Sequence, residues 1–258
     1  GRLPSHMFEE VDRAVEGGLS VANGLHQSLA DRYLELRPGQ WIWDIRKEPE
    51  VLSIASAQAA SLGNRRLLTV GTDMAIGKMT VGIEIWREAQ RRGVHAEFLA
   101  TGQIGIFVSG RGIALDAIRV DYACGAVERM VLDAAGADLQ VIEGQGSILH
   151  PGSTSTLPLL RGSCPTHLLL CHRAGSDRLE DHDVPIPPLA DLMALYEDMA
   201  SACGAFPRPK TIGVALNTSS LNEGDAQNAL QALSTEIGLP VVDPLRFSVT
   251  PLVDALLD

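Results

Sequence analysis

Aromatic side chains make up only 4% of this 258-residue chain, and there are four cysteines. Cys124, Cys164, Cys171 and Cys203 stand far apart, with no Cys-x-x-Cys pair and no His/Cys cluster at zinc spacing. That scatter excludes a disulfide-stapled scaffold and argues for thiols serving as small apolar residues in a reduced compartment. No stretch approaches 18 uninterrupted apolar residues, and the first residues lack the charged, apolar and small-residue pattern of a secretory leader. No membrane partner is therefore expected, and the expected location is cytoplasmic. Basic charge is also scarce, with 21 Lys and Arg against 32 Asp and Glu, for a net charge of −11. Such a surface repels polyanions, so no nucleic-acid partner is expected and a small-molecule substrate is. Any anion must be held locally, by backbone N–H groups and one or two placed cations. Internal repeats are absent, and the one proline-rich stretch, Pro185 to Pro188, is too short to be a linker domain.

What is present is an ordinary globular composition, 45% apolar and 21% charged. Residues 7–17 carry an amphipathic helical pattern, and Leu19–His26 and Trp41–Arg46 read as strands ending in polar turns. From about residue 65, apolar runs alternate regularly with helical segments, which is the pattern of βαβ units and a parallel sheet. Strands are expected at Arg66–Val70, Val94–Ala100, Leu139–Ile142, Leu168–Cys171, Thr211–Leu216 and Val241-Val242. Helices are expected at Gly77–Arg92, Asp121–Ala135, Leu189–Ala202 after Pro187-Pro188, and Asn222–Ile237 stopped by Gly238, with a last short helix at the end. The fold class is α/β, in two parts: 1–62, too little for a domain of its own, and 63–258, one layered α/β structure.

Directly after the first apolar strand comes Gly71-Thr72-Asp73-Met74-Ala75-Ile76-Gly77-Lys78-Met79-Thr80. A glycine-bounded turn between strand and helix lets successive N–H groups converge on a phosphate, the helix N-terminus adds its positive dipole end, and Lys78 supplies a point charge. Five residues separate Gly71 from Gly77 where the commonest phosphate loop has four. The residue after the lysine is Met79, whose thioether cannot serve Mg²⁺ as the usual Ser or Thr hydroxyl does. Thr80 lies one residue on, about 100° round the helix, and is the remaining hydroxyl for that role.

Ligands of open parallel sheets bind beyond the carboxyl ends of the strands. There the sequence places Glu143-Gly-Gln-Gly-Ser147 after one strand, Thr101-Gly102-Gln103 after another, His172 at the end of a third and Asn217-Thr218 after a fourth. Glu143 suits either a general base or, if Mg²⁺ takes part, a metal ligand alongside Thr80; no metal site is otherwise indicated. His150, in a Leu-His-Pro-Gly turn, and His172 are candidate proton shuttles. Asn217 either reads an adenine edge or caps its turn. Arg46 either clamps a substrate carboxylate or makes a surface ion pair, and Thr101 and Gln103 complete the substrate side. The acidic segment Asp177 to Asp183 is either a solvated loop or a lid.

The loop from Gly71 to Thr80, Ala100-Thr-Gly-Gln-Ile-Gly105, Glu143-Gly-Gln-Gly-Ser147 with His150-Pro151, Leu170-Cys-His172 and Ile186-Pro-Pro-Leu189 together resemble the C-terminal P-loop domain of the DgcN-type D-glutamate N-acetyltransferases. That family carries an N-terminal Rossmann-like domain whose closing segments are similar to Gly1-Arg-Leu-Pro4, Ala22-Asn-Gly-Leu-His26 and Asp44-Ile-Arg-Lys47. The resemblance implies a P-loop NTPase-like, mostly parallel sheet flanked by helices, with residues 1–62 as the remnant of a Rossmann-like domain. It implies acetyl-CoA as the donor and D-glutamate as the acceptor, with a homodimer or higher homo-oligomer the expected assembly. A more distant similarity, in Gly-Thr-Asp before Gly-Lys, is to dethiobiotin synthetase, which would imply ATP with Mg²⁺ and a carboxylate substrate. Three readings result: an acetyl-CoA-dependent N-acetyltransferase with Glu143 or His172 as base, an ATP-dependent kinase or ligase, and a nucleotide- or CoA-sensing module without turnover.

Overall fold

The computed structural model describes residues 3–258; Gly1 and Arg2, part of the N-terminal segment of the resemblance, lie outside the described residues. The N-terminal part consists of α1 (Ser5–Glu16) and a parallel pair, β1 (Val21–Asn23) and β2 (Ile42–Asp44), with Val21 opposite Ile42. The Asp44 carboxylate organises the turn between the strands, accepting from Asn23 Nδ2 at 2.7 Å, Ser28 Oγ at 2.6 Å and the Ala30 N–H at 2.9 Å. The connecting segment is pinned to the main domain by the buried Glu128, which accepts from the Ser56 N–H at 2.7 Å.

The main domain runs β3 (Arg65–Gly71), α2 (Lys78–Arg91), β4 (Ala96–Leu99), α3 (Gln103–Ser109), α4 (Val120–Asp133), β5 (Leu139–Ile142), α5 (Thr156–Ser163), β6 (His167–Arg173), α6 (Leu189–Ser201), β7 (Lys210–Asn217), α7 (Glu223–Ile237), β8 (Val241–Val242) and α8 (Thr250–Leu257). The six strands of the main sheet lie in the order β4-β5-β3-β6-β7-β8, and every pairing is parallel. Its strands are apolar at nearly every position because both faces are covered. Leu67 on β3 packs into a core with Val81 and Ile85 of α2 and Leu252 of α8, while the next residue, Leu68, packs into a second core with Val127 of α4, Leu159 of α5 and Leu192 of α6.

Two helices have no counterpart in the sequence pattern. α3 is a seven-residue apolar turn whose Ile104, Phe107 and Val108 stay exposed, so it shows no amphipathic stripe. α5 carries Pro158 in its first turn, where proline is tolerated, and Gly162 near its end. The C-terminus of α5 is held by Arg66, which is 1% exposed. Its Nε donates to the Ser163 and Cys164 carbonyls at 3.1 Å, Nη2 to Cys164 at 3.0 Å, and Nη1 to Leu62 at 3.1 Å and Asn64 at 3.0 Å. One guanidinium thus satisfies helix-end and linker carbonyls that lie away from water.

Replacing Arg66 with Met strands those acceptors. We expect the Arg66→Met protein to lose about 3 kcal/mol of unfolding free energy, measured as a lowered urea midpoint at unchanged slope.

Candidate functional site

β3 is the central strand, and the chain leaves it toward β5 and β4 on one side and β6, β7 and β8 on the other. The crevice at that reversal is where open α/β sheets bind ligands. Three adjacent strands deliver chemistry to it: β5 leads directly into Glu143, β3 into the loop from Gly71, and β6 carries His172.

The loop turns on Gly77, the N-cap of α2, at φ 107°, a conformation that a Cβ disfavours. Ala75 also sits in the left-handed region at φ 54°, so the loop stores strain of the kind found at ligand clamps. The Met74 N–H is taken by Asp73 Oδ1 at 2.7 Å, but those of Ala75, Ile76 and Gly77 donate to no described backbone or side-chain group, and the first turn of α2 adds its own. Lys78 folds back beneath the loop, only 6% exposed, and donates from Nζ to the Asp73 carbonyl at 2.7 Å. Burial holds its ammonium below the usual lysine range, opposed by the neighbouring Cys171, Asp73 and Glu143. Met79 turns inward and packs against the α2 core.

Glu143 is 3% exposed. Its Oε2 accepts from the N–H groups of Thr101 at 2.8 Å and Gly102 at 3.0 Å, while Thr101 Oγ1 donates to the Glu143 carbonyl at 2.7 Å. Burial lifts the carboxyl above the ordinary glutamate range, against those N–H groups, the Gln145 amide and Lys78, which favour the anion. Gly105 is required where α3 passes this carboxylate, since a Cβ there would overlap Oε2. The helix α3 is thereby the wall of the site, with Gln103 packed toward Gly24 of the N-terminal part.

His172 Nδ1 shares a hydrogen bond of 3.1 Å with Thr72 Oγ1. Burial pushes its imidazole down to about 4, so it is neutral near pH 7 and a weak base. The rest of the expected rim divides. His150 lies in the loop after Glu143, accepts from the Gly152 N–H at 3.0 Å, and stacks edge-on with His182 at 4.5 Å between ring centres. Asn217 spends its side-chain oxygen on the Ser219 N–H at 3.0 Å, the turn-capping alternative. Arg46 pairs with Asp116 at 2.9 Å, yet its Nε is buried with no partner. The Leu115 N–H beside Asp116 donates to the Thr101 carbonyl at 3.0 Å, so Arg46 stands one segment away from Glu143. Thr80 makes no hydrogen bond that assigns it a role, and among the described residues no group of three or more His, Cys, Asp or Glu side chains is arranged to hold a metal.

Two supports escaped the sequence reading. Tyr196, buried in α6, donates to the Gly71 carbonyl at 2.7 Å and accepts from the Ile148 N–H at 3.0 Å, holding the root of the loop. Its signal was a tyrosine inside an apolar helix face, which must find a partner for its hydroxyl. Glu180, in the acidic segment, donates its N–H to Asp73 Oδ2 at 2.7 Å and pairs with Arg173 at 3.0 Å. The segment is thus anchored across the loop, with Leu179 buried.

A family model for a domain of unknown function, the DUF1611 C-terminal P-loop domain, matches residues 53–253, and the DUF1611 N-terminal Rossmann-like domain matches residues 1–48. The chain belongs to the DUF1611 family. A DUF1611 protein of Anabaena variabilis, known from its crystal structure, is 50% identical and superposes with a TM-score of 0.94 over all of this chain and 76% of that one. D-glutamate N-acetyltransferase of Tritonibacter scottomollicae is 34% identical over 99% of this chain and 78% of its own length. The enzyme of that name from a Pseudoalteromonas species is 32% identical over 98% and 77%. The P-loop and Rossmann-like division of the family is the architecture described above, with β1 and β2 contributing the Rossmann-like part.

The depressed His172 gives a pH test with a definite sign. An unfolded imidazole takes up a proton near pH 6.5 whereas the native one does so only near 4, so stability falls as pH drops through that window and levels below it. Urea unfolding at stepped pH should show this loss in the native sequence and a flatter curve over the same window in His172→Gln.

Proposed function

We propose that this protein transfers the acetyl group of acetyl-CoA to the amino group of a small amino acid, with D-glutamate the first acceptor to test. The relatives support an enzyme of N-acetyltransferase type. The observation that carries the finer reading is a buried carboxylate of raised proton affinity, Glu143, beside a phosphate loop that has Met79 where Mg²⁺-binding loops have a hydroxyl. The unpartnered N–H groups of the loop and the N-terminus of α2 fit a pyrophosphate, and CoA has one. When bound, the donor supplies an acyl group on a good leaving thiol. Glu143, held in one orientation by Thr101 and Gly102, removes a proton from the acceptor ammonium so that the amine can attack. His172 is the poorer base, since burial depresses its proton affinity and its Nδ1 is engaged with Thr72. Arg46, with a buried free Nε, is suited to the acceptor carboxylate in exchange for Asp116.

Mixing the protein with acetyl-CoA and D-glutamate should release free thiol that depends on both substrates. The competing reading, an ATP- and Mg²⁺-dependent kinase or ligase, draws on Glu143 directly following the strand next to the loop strand. Absence of thiol release together with Mg²⁺-dependent ADP formation would establish that reading and sink the first. Glu143→Gln preserves shape and removes the base: kcat should fall by about 10²–10⁴ while KM for acetyl-CoA changes little.

A further inference from the structure

A trough leads away from the phosphate loop over the outer end of β6. A cavity of about 210 Å³ opens beside Thr72 and Asp73 and carries Arg173 and Arg178 in its wall. A second, about 460 Å³, continues from it, the two sharing Ser176 and Ile186. The walls of the second are mostly apolar, from Pro187, Pro188, Leu216 and Leu233, with Asp177 and Glu236 as the acidic groups facing it. The order along the trough is a phosphate-binding turn, two cations, then an apolar slot edged by hydrogen-bond acceptors. An adenine base suits such a slot, because its faces are apolar and its exocyclic amine is a donor.

The cations are not needed to hold the fold. Arg173 pairs with Glu180 and Arg178 with Asp183, and Arg178 and both carboxylates are largely exposed. Exposed pairs of this kind contribute about 0–1 kcal/mol, whereas a phosphate accepts bidentate, charge-assisted hydrogen bonds from arginine. The backbone of the segment stays anchored through the Glu180 N–H on Asp73, so the Glu180 side chain can give way without the segment leaving. The base-reading role considered for Asn217 passes to the residues of the trough, to which the neighbouring Leu216 contributes a wall.

We propose that the trough seats an adenosine bearing a second phosphate on its ribose, and that Arg173 and Arg178 read that phosphate. The proposal rests on the acetyl-CoA reading and deepens it, since CoA carries this phosphate on its ribose and ADP and ATP do not. Calorimetric titration of the full chain with CoA, 3′-dephospho-CoA and ADP tests it. CoA should bind about tenfold or more tightly than 3′-dephospho-CoA, and Arg178→Ala should erase that preference by weakening CoA alone. Leu233→Trp, which fills the apolar slot, should weaken both CoA forms by about tenfold, with its unliganded melting curve showing that the fold is kept. Equal affinity for the two CoA forms, or equal kcat/KM with acetyl-CoA and its 3′-dephospho analogue, overturns the proposal while leaving acetyl transfer intact. Binding of ADP with Mg²⁺ but of neither CoA form overturns both.

Discussion

The site is organised around an ammonium group nearly cut off from water. Lys78 enters α2 at its first residue and turns back under the loop, where it donates to the Asp73 carbonyl, and the Cys171, Asp73 and Glu143 side chains favour its charge from nearby. A buried lysine is costly unless partners meet it. Around it, Glu143 follows the strand beside β3, Gly105 lets α3 pass the carboxylate, and Tyr196 holds the loop at Gly71. Burial acts on both charges in the sense that discharges them, lowering Lys78 and raising Glu143. Such an opposed pair beside unpartnered N–H groups is suited to binding an anion and moving a proton in the same crevice.

The net charge of −11 sharpens the point. Against an acidic surface, any anion affinity has to come from a few oriented groups, and donors of that kind lie close together at one edge of the sheet: the N–H groups from Ala75 to Gly77, Lys78, and the arginines of the adjoining trough. The acidic segment 177–183 crosses that region, tethered to Asp73 and answering Arg173 and Arg178 with its own carboxylates. It is neither free solvent-facing chain nor independent of the site.

Most of the fold was legible where burial imposes a period. The parallel strands were readable as apolar runs because both faces are covered, and the glycine-bounded loop because its conformation restricts which residues can occupy it. α3 and α5 were not, for the opposite reason: α3 is short and leaves Ile104, Phe107 and Val108 exposed, while α5 mixes Pro158 and Gly162 into its two turns. Arg66 and Tyr196 were equally silent, since their importance lies in carbonyls and N–H groups contributed from distant parts of the chain.

By itself the sequence determined the class of fold, the strand-to-helix phosphate loop and the strand ends where ligand chemistry belongs, because these depend on neighbouring residues and their spacing. Only the tertiary structure decided which candidates lie together. It joined Glu143 to Thr101 and Gly102, and His172 to Thr72, across strands far apart in the chain. It turned His150 toward His182, committed the Asn217 oxygen to a turn, and left Arg46 with a buried unused donor. The physical reason is that proton affinity and hydrogen-bonding capacity are properties of surroundings: a glutamate is raised and a histidine depressed by the water they lose, and that loss is set when the sheet assembles.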